Sequence, residues 1–402
     1  MNSLKIGVDI RPLLHPSTGI GRYTQALLEH LLQSDHQWFL YSDRLYEGEF
    51  QNYPNVTIRC TNRRQASVVN LWTSQLIFSR WAKQDALDVF WSPRHHLPLL
   101  LSKSIKTVVT VHDLVWRRFP ETMKTKNLWL ERLLMPSSLR RADKLIAVSK
   151  FTANEIEELF PHCAEKTEVV YEAAFNCLDT ESELAVGSAI VGKELPQHYF
   201  LFVGTSEPRK NLQQLLNAYK ELSDQGSLVD LVLVAGRGWG QPSIASQLHD
   251  YDLTDKVLHF ENLTDAELDA LYRGACALVL PSYYEGFGLP VLESMVRGVP
   301  VIVSDRGSLP EIVGNAGLLI DPESVKSLQQ ALKVLAENDA LRSEMSFQAE
   351  QRAKDFSWEK AANETLAVFE ALDTGLRGTE AAAHRTPVGA ARRASVASND
   401  KK

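Results

Sequence analysis

Apolar residues along this 402-residue chain fall into two series of short runs. The first starts with Ile6–Ile10, gives way to helical spacing over Tyr23–Leu32, and resumes at Val108–Val111. The second opens after Tyr199 with YFLFVG, followed by helical spacing over Leu212–Leu222, then LVLVAG at 231–236, ALVL at 277–280 and VPVIVS at 299–304. Runs of this length that are rich in β-branched residues and end in glycine or polar loops predict strands, and the helical spacing between them predicts crossover helices. Strand, crossover and strand in steady alternation is the rhythm of a parallel sheet, so the expected fold class is α/β with two such sheets. Between the series, Leu178–Gln197 mixes small and charged residues without a sustained period, which predicts an exposed linker. A last helix is expected around Trp358–Leu372, with Ala361, Leu366, Val368 and Phe369 placed to cover a sheet face. Residues 374–402 are small, polar and basic, with too few large apolar side chains to offset the entropy of ordering, and predict a disordered tail. The expected organisation is a first domain over 1–178, a linker over 179–197 and a second domain over 198–355. A helix over 356–373 that can cross back to the first domain follows, and then the tail.

Composition narrows the function classes. A chain of this length that is 44% hydrophobic exceeds one ordinary core, which fits two domains. Cys60, Cys163, Cys177 and Cys276 are scattered, with no spacing that suggests a zinc site or a disulfide framework, so reduced thiols are expected. The start MNSLKIGVDI runs straight into a strand, and no stretch approaches the roughly 20 apolar residues of a membrane span. The expected location is therefore cytoplasmic, with peripheral contact to the inner face of the membrane open. Residues 1–178 carry 22 Lys and Arg against 18 Asp and Glu, leaving that half at +4 and the remainder at −11. A basic half suits anionic lipid. Nothing in the pattern suggests a nucleic-acid partner.

Two segments carry the chemistry. PSYYEGFGLPVLESMVRGVP, residues 281–300, follows an apolar strand and opens a helix, with Pro290 suited to its first turn and Gly298 to its end. Gly286 and Gly288 permit close backbone approach, and the unpaired amides near Gly288 and Leu289 point out from a positive helix end where a diphosphate would sit. Glu285 in the loop can accept from sugar hydroxyls, and Glu293 on the first turn can hold the two hydroxyls of a ribose. A lone acidic residue in a first helical turn would otherwise be read as stabilising the helix dipole. YFLFVGTSEPRKNLQQLL, residues 199–216, repeats strand, loop and helix, with Gly204 at the strand end. Arg209 and Lys210 stand before the helix and Asn211 can cap it, so two cations and a helix end converge on a phosphate site. Nearer the start, Gly19 and Gly21 lie between a strand and a helix, but Thr24 stands where a dinucleotide fingerprint needs its third glycine, against an oxidoreductase. His112 and Asp113 lie at the carboxyl end of a strand, where Asp113 is as well suited to capping the next turn. Ser149 and Lys150 follow another strand, Ser149 as a cap. No metal ligand is assigned and metal independence is expected, on the reading that the chain has no Asp-x-Asp metal motif.

EGFGLPVLE, with seven residues between Glu285 and Glu293, resembles the signature of retaining glycosyltransferase family 4, whose fold is GT-B: two Rossmann-like domains facing across a deep cleft. The resemblance covers residues from about 5 to 372. It implies that Glu285 contacts the donor hexose and Glu293 the nucleotide ribose, with Gly286, Phe287, Gly288, Leu289 and Pro290 facing the phosphates. It further implies that Arg209 and Lys210 bind the donor diphosphate, that Gly19, Gly21 and Gly204 line the phosphate side, and that His112 lies near the transferred sugar. The loop that opens ENLTDAELDALYRGA, after the strand ending near Phe260, would face the base, which the sequence leaves unread. By the same resemblance, a nucleotide sugar is the donor, GDP-mannose favoured and a UDP-hexose open, and no cofactor is needed. The partner is a glycan or lipid-linked sugar acceptor held by the first domain, where Trp38, Trp72, Trp81, Trp91, Trp116 and Trp129 are concentrated. Indoles can stack on sugars or sit at a bilayer surface, and residues 63–83 could form a membrane-facing helix, although a core-facing helix is the plainer reading. A sugar-nucleotide epimerase of the same fold would lack the paired glutamates, and a silent scaffold would have lost the phosphate clamp.

Overall fold

The computed structural model describes residues 3–15, 18–61, 68–175, 189–190, 192–226, 229–236, 238 and 240–373, with backbone alone for 68–73, 189 and 373. The expected tail and most of the expected linker lie outside these residues. Seven strands form the first sheet: β1 (Lys5–Asp9), β2 (Gln37–Ser42), β3 (Val56–Cys60), β4 (Val89–Ser92), β5 (Lys106–Val111), β6 (Lys144–Ala147) and β7 (Thr167–Val169). They pair in the order β3-β2-β1-β4-β5-β6-β7, every pair parallel. A small antiparallel pair, β8 (Ala189–Ile190) with β9 (Lys193–Glu194), stands where only linker was expected, and Ile190 packs into the second domain. The second sheet has β10 (Tyr199–Thr205), β11 (Asp230–Gly236), β12 (Val257–Phe260), β13 (Ala277–Leu280), β14 (Val301–Ser304) and β15 (Gly317–Ile320). Its order is β12-β11-β10-β13-β14-β15, again all parallel. In both sheets the order reverses beside the first strand, and ligands bind outside the carboxyl ends of strands at such switch points.

Helices cover both faces: α1 (Gly19–Leu31), α2 (Val68–Gln84), α3 (Val115–Arg118), α4 (Thr125–Arg141) and α5 (Lys150–Leu159) in the first domain. The second domain has α6 (Leu212–Asp224), α7 (Ile244–Asp250), α8 (Asp265–Gly274), α9 (Leu289–Met295), α10 (Leu309–Val313), α11 (Val325–Glu337) and α12 (Asp339–Ala353), and α13 (Trp358–Asp373) closes the described chain. Local chemistry sets several starts. Thr18 accepts from the Gly21 amide at α1, Ser149 from Thr152 at α5, and Thr264 with Glu267 makes a reciprocal cap at α8. Strands buried on both faces explain the unbroken apolar runs, as in β13, where all four residues are buried.

The second domain has one continuous core, whereas the first has one on each face of its sheet. The core on the α1 face includes Ala361, Ala362, Val368 and Phe369 of α13. Phe369 sits against Trp38 and Trp91, with ring centroids 6.4 and 5.7 Å apart, and Trp358 Nε1 donates to the Ala174 carbonyl at 3.0 Å. The backbone therefore crosses between the domains twice. Trp38, Trp91 and Trp116 are buried and Trp81 stacks on Phe78, so most of the described tryptophans expected near an acceptor serve the core instead; Trp129 is 65% exposed. Trp72 lies outside the described side chains. The described part of α2 turns Phe78 and Ala82 into that core. Among the described residues no helix is long and apolar enough to cross a membrane.

Candidate functional site

β10 and β13 both end at the second sheet's switch point, and the loops that follow them meet. Tyr283 donates its amide to the Arg209 carbonyl at 2.8 Å. Lys210 Nζ donates to Glu285 Oε1, Arg209 Nη1 donates to Glu285 Oε2 at 3.1 Å and to the Tyr284 carbonyl at 3.1 Å, and Ser282 Oγ donates to Glu285 Oε1 at 2.7 Å. On the outer side Arg209 Nε reaches Glu207 at 3.0 Å. Burial alone would push the Glu285 carboxyl up, but Lys210 and Arg209 outweigh it and hold the group at about 2. Burial pushes the Lys210 ammonium down, against the pull of Glu285. Gly204 runs beside the Lys210 stem: a Cβ there would lie 3.7 Å from Lys210 Cε. Asn211 does not cap α6 as expected. Its backbone is left-handed (φ 56°), which turns the side chain away from the helix amides and lets Nδ2 donate to the Pro281 and Pro322 carbonyls at 3.1 and 2.8 Å, bracing the Glu285 loop.

Gly288 ends that loop with φ 102°, where a side chain would be strained, and no side chain caps α9. Pro290 lies in the first turn, and Gly298 follows the helix with φ 66°. Phe287 points into the interdomain core, its ring 6.5 Å from Tyr171 and 6.0 Å from Phe356, so of its atoms only the backbone is placed to face a ligand. Glu293 is buried, accepting from the Tyr272 hydroxyl at 2.8 Å with Arg22 Nη1 at 3.7 Å. Burial pushes its carboxyl up, against the opposing pulls of Tyr272, Arg22 and Arg297.

The first domain closes over these loops. A Cβ on Gly286 would lie 1.8 Å from the His112 carbonyl, so this glycine admits the facing domain's backbone rather than a ligand, and Gly286 O accepts from Ser149 Oγ at 2.7 Å. Ser149 is thus both cap and contact. Gly21 is likewise demanded by its own loop, where a Cβ would meet the His15 carbonyl at 2.3 Å. Gly19 faces Leu289, whose Cδ1 would lie 3.7 Å from a Cβ there. His112 stands at the end of β5 with Nδ1 2.9 Å from Glu172 Oε1 and Nε2 2.9 Å from the Pro93 carbonyl, so both ring nitrogens are engaged within the first domain. Asp113 accepts from the Val115 amide at 3.1 Å. Glu311 of α10 takes the Lys150 and Phe151 amides at 2.9 and 3.0 Å, laying a carboxylate on the positive end of α5. Arg22, which is not among the residues expected at the site, bridges the cleft to Asp265 and Glu293. A cation directly after the Gly-x-Gly that opens α1 was the available signal.

The chain does contain one Asp-x-Asp triplet, Asp250 and Asp252 at the end of α7. Asp252 is exposed and paired at 3.8 Å with Lys220, away from Glu285. Among the described residues, no group of three His, Cys, Asp or Glu is placed to hold a metal ion. A cavity of about 430 Å³ bordered by Phe200, Tyr219, Leu332 and Glu337 lies at the amino end of β10, the opposite end from Arg209, and offers no comparable cluster of cations.

Residues 17–174 match the family model described as Glycosyltransferase Family 4, and residues 188–352 match Glycosyl transferases group 1. The chain is 30% identical over 390 residues to the O-antigen chain mannosyltransferase B of Escherichia coli, covering 92% of this chain and 100% of that protein. Among solved structures it is similar to a sucrose-phosphate synthase from Thermosynechococcus elongatus (TM-score 0.71, 18% identity, covering 93% of this chain and 100% of that one). It is also similar to Anabaena HepE in complex with UDP and glucose (TM-score 0.68, 17% identity, 92% and 100% covered). These structural likenesses show the two-domain GT-B architecture.

Proposed function

Since the chain belongs to glycosyltransferase family 4 and is a hexosyltransferase, we propose that it moves mannose from GDP-mannose to a growing cell-surface glycan or lipid-linked acceptor, without a metal ion and with retention of anomeric configuration. The observation that carries this reading is the meeting of Arg209, Lys210 and Glu285 in one buried cluster beside the open end of α9. Departure of a nucleoside diphosphate develops negative charge, and donors already fixed in a dry site stabilise it at no cost in reorganisation. In the proposed step the acceptor oxygen bonds to the anomeric carbon on the face from which the diphosphate departs. The bond to the phosphate oxygen breaks, and the acceptor proton passes to that phosphate. Glu285, held ionised, positions the hexose hydroxyls, and Glu293 receives the ribose. That the Escherichia coli relative is a mannosyltransferase supports mannose; the UDP and glucose bound to HepE support a UDP-hexose as the second reading.

A lipid-linked acceptor also gives the outer face of α4 a role. Trp129 and Leu133, one turn apart and 65% and 68% exposed, share that face with Lys126, Arg132 and Arg140, while Glu131 turns inward to His96 at 3.0 Å. An apolar ridge flanked by cations suits the surface of an anionic bilayer. Calorimetric titration of GDP, UDP and ADP in EDTA tests the donor site. One nucleotide should bind best, and Arg209→Ala should weaken it by about 10- to 100-fold, the worth of a hydrogen bond to a charged group. Binding that requires a metal ion and ignores Arg209 would refute the clamp.

A further inference from the structure

One set of charged side chains in the first domain is left over once the donor half of the cleft is built. Past β1, Asp9 and Arg11 satisfy one another: Arg11 Nε donates to Asp9 Oδ1 at 2.9 Å, Nη1 donates to Ser74 Oγ at 2.7 Å, and the guanidinium lies over the Phe78 ring at 5.2 Å. Asp43, just past β2, is not satisfied. It is 8% exposed, and its buried Oδ1 has no hydrogen-bond partner, with Arg44 Nε standing off at 3.6 Å. Arg94, two residues past β4, makes no hydrogen bond or ion pair among the described residues, although Asp9, Glu131 and Asp43 attract it and Arg11 repels it. A buried polar atom without a hydrogen bond costs about 1–3 kcal/mol, so the Asp43 oxygen, held only by the loose ion pair to Arg44, and the half-buried guanidinium of Arg94 that attracts it call for a common guest.

The position fits a substrate. β1 and β4 flank the first sheet's switch point, and both side chains lie past strand ends on its carboxyl side. His95, next to Arg94, accepts from the His112 amide at 3.2 Å, and the His112 carbonyl abuts Gly286 beside Glu285. Arg94 is thus linked, through its neighbour His95 and one hydrogen bond, to the backbone that touches the donor loop. Charge selects the guest. Arg94, Arg11 and Arg44 stand against Asp9, Asp43 and Glu131, so the cluster holds no surplus of positive charge for a phosphate, whereas a hydroxyl can donate to Asp43 while its neighbour accepts from Arg94 without adding charge. Burial pushes the Asp43 carboxyl up, against the pull of Arg11, which further suits a neutral ligand.

We propose that Asp43 and Arg94 bind the acceptor saccharide, gripping two neighbouring hydroxyls of a neutral pyranose. This rests on the hexosyl-transfer reading above. The test uses the full chain, wild type, Asp43→Asn and Arg94→Gln, with methyl α-D-mannopyranoside as probe, inorganic phosphate as anionic competitor, and GDP titration as an independent check of the donor site. Each variant should weaken mannoside binding, followed by saturation-transfer NMR, about tenfold or more, while GDP affinity and Tm stay unchanged. Arg94→Lys keeps the charge without the paired donors and should weaken the mannoside too, so the question stays decidable if Arg94→Gln does not fold. Mannoside binding unchanged in the variants, no mannoside binding to a wild type that binds GDP, or displacement of the mannoside by phosphate overturns the proposal. So does a fall in Tm with binding intact, the mark of a structural cluster. Failure of wild type to bind any nucleoside diphosphate, with the mannoside effects present, overturns the donor reading alone.

Discussion

Glu285 and Glu293 are both buried in the same loop and helix, yet their surroundings drive their carboxyls in opposite directions. Glu285 is held at about 2, below the 4.5 it has when unfolded, so its ionic contacts stabilise the fold above pH 4.5 and are lost as the pH falls toward 2. At neutral pH that difference is worth on the order of 3 kcal/mol. Glu293 is raised, so it favours the fold at low pH and loses that contribution as the pH rises through its folded value. Replacing Glu285 by Gln leaves Lys210 and Arg209 facing one another, a loss of about 3–5 kcal/mol for a broken buried pair. GDP should restore part of it. Thermal scans of Glu285→Gln should therefore show a lower Tm, a flatter acid limb and a larger upward shift on adding GDP than wild type; a smaller shift would show that the diphosphate does not replace the carboxylate. Arg209, Lys210 and Glu285 could be read from the chain because each stands in a short loop directly after an apolar strand. Asp43 and Arg94 could not, because their surroundings arise only where the loops after β2 and β4 come together, and no spacing along the chain encodes that meeting.

Among the elements, α4 combines a core-facing side with an outer side that the sequence did not announce. Its described inner positions include Met135 and Leu139, but Pro136 and two serines interrupt the apolar spacing, so the ridge of Trp129 and Leu133 was not separable from core by period alone. Removing both apolar groups should cost about 1.5–3 kcal/mol for each side chain that enters the bilayer boundary. Trp129→Ala with Leu133→Ala should thus reduce sedimentation with vesicles of phosphatidylethanolamine and phosphatidylglycerol by roughly tenfold or more while leaving GDP binding intact. Equal sedimentation of variant and wild type would remove α4 from the membrane reading. β1, β5, β10, β11, β13 and β14, by contrast, were legible because their apolar runs are nearly unbroken, whereas β3 and β7 are only half-buried and β8 and β9 are two residues each, too short for any alternation to register.

Over the whole molecule, the first domain is assembled from two distant stretches of chain, 3–175 and α13, with the second domain set between them. Phe369→Ala should therefore cost about 3–5 kcal/mol and raise hydrogen exchange in β1, β2 and α1, more than three hundred residues earlier, rather than in β13 or β14. Exchange rising in the second sheet instead would place α13 in the wrong core. Because α13 is translated after everything else described, the order of folding on the ribosome should run against the order of synthesis. The second domain can complete its core from one continuous stretch, while the first, although it emerges earlier, keeps part of the α1 face of its sheet uncovered until α13 leaves the exit tunnel. Nascent chains stalled before Trp358 should thus expose that face to holdase chaperones even when the second sheet is already closed.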